Sequence, residues 1–169
     1  METSFLLELK PTLILFLGIG EIYNDKIMAE QKKTFWDFLN GDIPVLVDFY
    51  ATWCGPCKIS MPQMSNLQAK YASEAIFVGV TDESPEQVEV FLASESRPGS
   101  TWSDEIQYRL ATDREQSMSR NYMAAANQMN IPTAFIVGKT GKIEWMGHPA
   151  MIEKPLAKAT AAVTTPPAK

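Results

Sequence analysis

"VDFYATWCGPCK", residues 47–58, carries both cysteines of a 169-residue chain. The wider run "PVLVDFYA" (44–51) is almost continuously apolar, rich in β-branched and aromatic residues, and predicts a fully buried central strand. Immediately after it, Cys54 and Cys57 are separated only by Gly55 and Pro56, and Trp53 precedes them. A bond between such close cysteines is a weak structural staple, because a disulfide stabilises mainly by closing a long loop of the unfolded chain. So short a ring suits a bond that opens and closes.

Downstream, Cys57, Met61, Met64, Leu67 (or Gln68) and Tyr71 recur at helical spacing, with Pro62 as an expected kink. "AIFVGVT" (75–81) predicts a second buried strand. In "SPEQ" (84–87), Ser84 as N-cap, Pro85 at the first helical position and Gln87 in capping-box position start a helix whose apolar face holds Val88, Phe91 and Leu92. "RPGST" (97–101) breaks it, and "IQYRLAT" (106–112) alternates as a half-buried strand. Met118, Tyr122, Met123, Ala126 and Met129 predict another helix. "TAFIV" (133–137), the turn "GKTG" (138–141) and "KIEWMG" (142–147) predict a hairpin, before a last amphipathic helix with Leu156 and Val163 on its apolar face. Upstream, Phe35, Trp36, Phe38 and Leu39 fall on a helical stripe in 30–40, with Gly41 at a C-cap position.

Strands alternating with helices, closed by a hairpin, imply an α/β fold with a mixed central sheet and helices on both faces. The length fits one domain, here 30–163, preceded by 1–29 and followed by a flexible tail, 164–169. Residues 5–20 are apolar but interrupted by Glu8, Lys10 and Pro11, and their clean core, Leu13 to Gly20, is far too short to span a bilayer. Residues 1–29 are read as a signal peptide or an N-terminal extension, which favours an exported over a cytoplasmic location. A net charge of −5 without a Lys/Arg cluster argues against nucleic-acid binding, and one His with two Cys argues against a metal site.

The cysteine spacing carries its own chemistry. Where the segment turns into a helix, Cys54 lies at the N-terminus, where free backbone N–H groups and the helix dipole favour its thiolate. A lowered thiol pKa makes it the nucleophile. Cys57, one turn in, is the resolving thiol that attacks the mixed disulfide.

"VDFYATWCGPCK" resembles the active-site strand and loop of the thioredoxin superfamily. The segments C-terminal to it are similar to the superfamily's TlpA-type, AhpC/TSA-like branch of thiol–disulfide oxidoreductases: Met61-Pro62 after the second cysteine, an inserted helix and strand over 84–112, and "IPTAFIVGKTGKIEWMGHP" (131–149). The resemblance covers about 35–150 and implies a three-layer thioredoxin-like fold. It also implies that Ile131-Pro132 is a cis-proline loop facing the cysteines, exposing a backbone edge on which substrate pairs.

Asp48, inside the apolar run, is expected to be buried with a raised pKa and to accept the proton of Cys57. The lysine that thioredoxins proper place beside this acid has no counterpart in "AIFVGV". Trp53, Gly55 and Pro56 join Ile131 and Pro132 as expected substrate contacts, with Trp53 as a lid over the pair. His148 reads as a capping or surface residue, the methionines 61, 64, 118, 123 and 129 as core filling, and Glu83, Glu86 and Glu89 as a solvated helix face.

The function expected from these residues is disulfide reduction in protein substrates by dithiol exchange, contributing to redox homeostasis, with no cofactor beyond the Cys54–Cys57 pair. The partners expected are disulfide-bearing proteins and an electron donor, a thioredoxin reductase or a membrane thiol carrier, acting on a monomer. Two alternatives stand beside it. A peroxiredoxin-like peroxidase would need a Pro-x-x-x-Thr-x-x-Cys pattern, whereas Thr52 is out of register with Cys54 and the proline is missing. A non-catalytic thioredoxin-fold binding module would have no use for an intact cysteine pair.

Overall fold

The computed structural model describes residues 41–164. The expected helix at 30–40, the segment 1–29 and the tail from 165 lie outside the described residues.

The apolar run forms β1 (Val45–Phe49), buried at every position. A sixteen-residue helix comes next, α1 (Gly55–Lys70), running unbroken through Pro62. β2 (Ile76–Thr81) pairs with β1 in parallel, in the register Asp48 opposite Gly79. α2 (Pro85–Ala93) starts with the expected reciprocal cap: the Gln87 N–H donates to the Ser84 hydroxyl and the Ser84 N–H to the Gln87 side chain. β6 (Thr133–Val137) and β7 (Ile143–Gly147) form the expected hairpin, and α4 (Glu153–Thr164) buries Leu156 against the sheet side. Val163 belongs to this helix, but its side chain is outside the described set.

The sheet order is β5 (Arg109–Thr112), β2, β1, β6, β7. β1, β2 and β5 run parallel, and β6 enters antiparallel to β1. This is the mixed sheet of a thioredoxin-like α/β fold. β1 lies at its centre, with one apolar cluster on each face. Leu46, Tyr50, Cys57, Met61 and Met64 share one cluster, and Val45, Val47, Phe49, Tyr122 and Phe135 share the other.

Three elements depart from the sequence expectation. The breaker at 97–101 is itself structured, as a small hairpin of β3 (Glu95–Arg97) and β4 (Ser100–Thr101), followed by a single helical turn, α3 (Trp102–Glu105). Trp102 stacks on Phe91 at 5.1 Å, so the insert has its own aromatic contact. The strand expected from 106 begins only at Arg109, and Leu110, Ala111 and Thr112 are all buried, because β5 is covered on both faces. The helix expected over 118–129 is reduced to a π-helical turn, Ser119–Ala124. Asp113 organises its start, accepting the N–H groups of Ser117, Met118 and Ser119. Asn127, at φ 53°, ends the helical run, so Met129 is 87% exposed and fills no core.

Candidate active site

The end of β1 delivers Tyr50 and Ala51 into the sheet's edge, and the chain then turns sharply: the Cys54 N–H donates to the Ala51 carbonyl at 3.1 Å. Cys54 is the N-cap of α1, with extended backbone (φ −80°, ψ 107°). The Cys57 N–H points at its sulfur, 3.2 Å away. Gly55 and Pro56 occupy the first helical positions, where proline's missing N–H loses no helical bond, and the first turn holds no acidic residue. The field at Cys54 Sγ is therefore that of a helix N-terminus with no acid in its own first turn. The two cysteines are joined, S–S 2.12 Å, with Cα atoms 5.3 Å apart. Both are buried, Cys57 more completely than Cys54.

Two of the expected partners converge on this pair. The Ile131–Pro132 peptide is cis, and the Ile131 carbonyl oxygen lies 4.0 Å from Cys54 Sγ. Ile131 itself packs against both core clusters, which anchors the loop from below. Trp53, by contrast, projects into solvent at 74% exposure, with Gly55 and Pro56 also exposed beside it. It is neither core packing nor a closed cover over the cysteines, and it adds apolar surface to the mouth of the site.

Asp48 sits where expected, on the central strand and on the face it shares with Leu46 and Tyr50, the face on which Cys57 packs. Its cross-strand neighbours are Gly79 and Ala134, so no cation stands beside it on either adjacent strand. Neither carboxylate oxygen has a hydrogen-bond partner among the described residues. Burial pushes its pKa up to about 8. The phenols of Tyr50 and Tyr108 are its electrostatic neighbours. Both are buried, both titrate well above the usual tyrosine range through burial, and both feel the Asp48 charge.

His148 serves as a cap, its Nδ1 accepting the Ala150 N–H at the short 3-10 turn Pro149–Met151. Glu86 and Glu89 are solvated as expected, but Glu83 is not. It is buried and accepts hydrogen bonds from Thr52, in the turn that leads to Cys54. Its position before the N-cap Ser84, outside the helix, was the signal that it does not share the helix's solvent face.

A helix-capping CxxC disulfide, a neighbouring cis-proline loop and a buried aspartate on the central strand thus occur together at one end of the sheet. The AhpC/TSA family profile matches residues 25–146, and the chain belongs to that family. Among solved structures, a Chlorobium tepidum protein described as a candidate thiol:disulfide interchange protein DsbE is similar at 28% identity. The match has a TM-score of 0.57 and covers 73% of this chain and 82% of that one. A reduced 2-Cys peroxiredoxin from Plasmodium vivax shares the fold at TM-score 0.59 and 15% identity, over 76% of this chain and 81% of its own. Among curated proteins, a thioredoxin of Borreliella burgdorferi is 36% identical over 73 residues, 43% of this chain. The chain spans less than two thirds of the curated thioredoxins it matches, 62% of the Borreliella protein and 27% of a chloroplastic thioredoxin Y2 from Arabidopsis thaliana.

Proposed function

We propose that this chain is a thiol–disulfide oxidoreductase that reduces disulfides in protein substrates by dithiol exchange. The observation that carries the reading is the placement of Cys54: an N-cap sulfur facing the Cys57 N–H, with Cys57 within bonding reach.

In the reduced protein, the Cys54 thiolate attacks one sulfur of the substrate disulfide. A Cys54–substrate bond forms and the other substrate sulfur leaves as a thiolate. Cys57 then gives its proton to Asp48 in the fraction of molecules whose carboxyl is ionised, and attacks Cys54 Sγ. The internal disulfide forms, the mixed one breaks, and the second substrate sulfur departs. Two electrons have passed from the cysteine pair to the substrate. The Ile131 carbonyl and the exposed Trp53, Gly55 and Pro56 offer the substrate an edge and an apolar rim. A dithiol donor, a thioredoxin reductase or a membrane thiol carrier, returns the electrons to a monomeric enzyme, and the Gly-Pro pair between the cysteines favours the reducing direction.

The test is reduction of insulin by the dithiol form. Wild type should precipitate the insulin B chain, Cys54→Ser should not, and Cys57→Ser should accumulate a covalent substrate adduct released by added thiol. Full turnover by Cys57→Ser, or consumption of peroxide in place of insulin, would overturn the reading.

A further inference from the structure

β1 and β2 are parallel neighbours, so the loops that leave their C-terminal ends open on the same edge of the sheet. The first loop carries Thr52, Trp53 and Cys54; the second carries Glu83. Three donors converge on the Glu83 carboxylate. The Thr52 N–H donates to Oε2 at 2.6 Å, the Thr52 hydroxyl to Oε1 at 2.6 Å, and the Thr81 hydroxyl to Oε2 at 3.1 Å. Both hydrogens that Thr52 can donate are thus spent on one acid. Glu83 is only 8% exposed, and charge-assisted bonds in such a setting are short and strong.

We propose that Glu83 is a positioning residue for the redox turn, clamping Thr52 and through it fixing Trp53 and Cys54 against the cis-proline loop. The proposal rests on the reading of Cys54 as the nucleophile. Between Ala51, whose carbonyl binds the Cys54 N–H, and Cys54 itself, Thr52 supplies the hydrogen bonds that reach another element. Trp53 projects into solvent. Without the clamp, the approach of Cys54 to the Ile131 carbonyl would depend on the turn and on the helix that Cys54 caps, whose Lys58 N–H donates to the Cys54 carbonyl.

The clamp has an electrostatic side. The carboxylate is fixed two residues from Cys54, on the order of 10 Å or less by chain reach. At that distance a negative charge opposes formation of the Cys54 thiolate. The Coulombic effect of Glu83 is felt at Tyr50, whose phenol it pushes further up after burial has raised it. Geometry and charge can therefore be separated by substitution. In Glu83→Gln the amide oxygen still accepts the Thr52 N–H and the amide N–H meets the Thr52 hydroxyl turned round, so the clamp persists while the charge is lost. Thr52→Val removes the hydroxyl arm and keeps the charge.

The experiment is alkylation of Cys54 by iodoacetamide against pH in the reduced protein, alongside KM and kcat for insulin reduction. Glu83→Gln is expected to raise the alkylation rate at pH 6 about threefold, corresponding to about half a pKa unit, with KM within twofold of wild type. Thr52→Val and Glu83→Ala are expected to raise KM severalfold, and Thr52→Val to do so without faster alkylation. Thr52→Val carries the geometric test if Glu83→Ala does not fold. Unchanged alkylation in Glu83→Gln together with unchanged KM in Thr52→Val would overturn the proposal. A wild type that alkylates normally yet reduces no disulfide would overturn the functional reading instead, leaving the alkylation profiles to judge the clamp.

Discussion

Asp48 stands directly opposite Gly79 in the parallel pairing of β1 with β2. The missing side chain at Gly79 is filled from elsewhere: a Cβ there would lie 2.8 Å from Leu110 Cδ2 and 3.2 Å from both Tyr108 Cε2 and Tyr50 Cε1. The carboxyl is therefore walled by hydrocarbon and phenol ring edges where a cation would have neutralised it. That relationship makes Asp48 a proton store and a structural liability together, and both sides can be measured.

The stability consequence has a definite sign. The folded chain holds the Asp48 proton up to about pH 8, whereas the unfolded chain releases it near 3.8. The proton-linked stability is thus complete below pH 4, falls through the window from about 4 to 8 by at most about 1.4 kcal/mol per pH unit, and levels off above it. Asp48→Asn is expected to abolish that slope, so the variant gains on wild type as pH rises. Urea unfolding of the oxidised protein at pH 4, 6 and 8 checks this, and parallel curves for both proteins would refute it. In turnover the same variant should be slower, on the order of a hundredfold in the step that resolves the mixed disulfide, which single-turnover kinetics would read.

Gly79→Ala should cost about 1–3 kcal/mol, because the added methyl must push Leu110 and two tyrosines in a packed layer. A shift in the urea midpoint at unchanged slope would report it. The double variant Gly79→Ala/Leu110→Val should recover part of the loss, since Leu110 makes the shortest contact.

Trp53→Ala tests the rim. An indole that is 74% exposed contributes little to folding, so the unfolding free energy should change by no more than about 0.5 kcal/mol. KM for insulin should rise severalfold, with iodoacetamide alkylation of Cys54 close to wild type. Equal KM values would remove Trp53 from the substrate surface.

Much of this arrangement was legible in the residues, for physical reasons that differ from element to element. The strand 44–51 announced itself because a central strand must be apolar on both faces, and that same requirement made Asp48 conspicuous. Ser84, Pro85 and Gln87 gave their helix start because capping is local chemistry, read within four residues. Met129 misled because helical periodicity says nothing of where the backbone leaves the helix; the left-handed Asn127 does that, and its neighbours hold no glycine to mark it. Glu83 misled for the opposite reason. Its place before Ser84 takes it off the helix face, but its partner Thr52 reaches it from the end of β1, and a tie across thirty-one residues leaves no trace in a local pattern.

The insert between β2 and β5 has a practical corollary. Residues 85–107 carry the Phe91–Trp102 stack, bury Val88, Phe91 and Ile106 in the core cluster that holds Cys57 and Met61, and touch α1 through the Gln107 N–H, which donates to the Ser65 hydroxyl. They begin and end beside two adjacent parallel strands whose pairing is set by the sheet. The stretch is a cassette with fixed sockets: another crossover could redraw the outer contour of the molecule only if it returned apolar side chains to the places of Val88, Phe91 and Ile106, between Glu83 and Tyr108 just outside its borders.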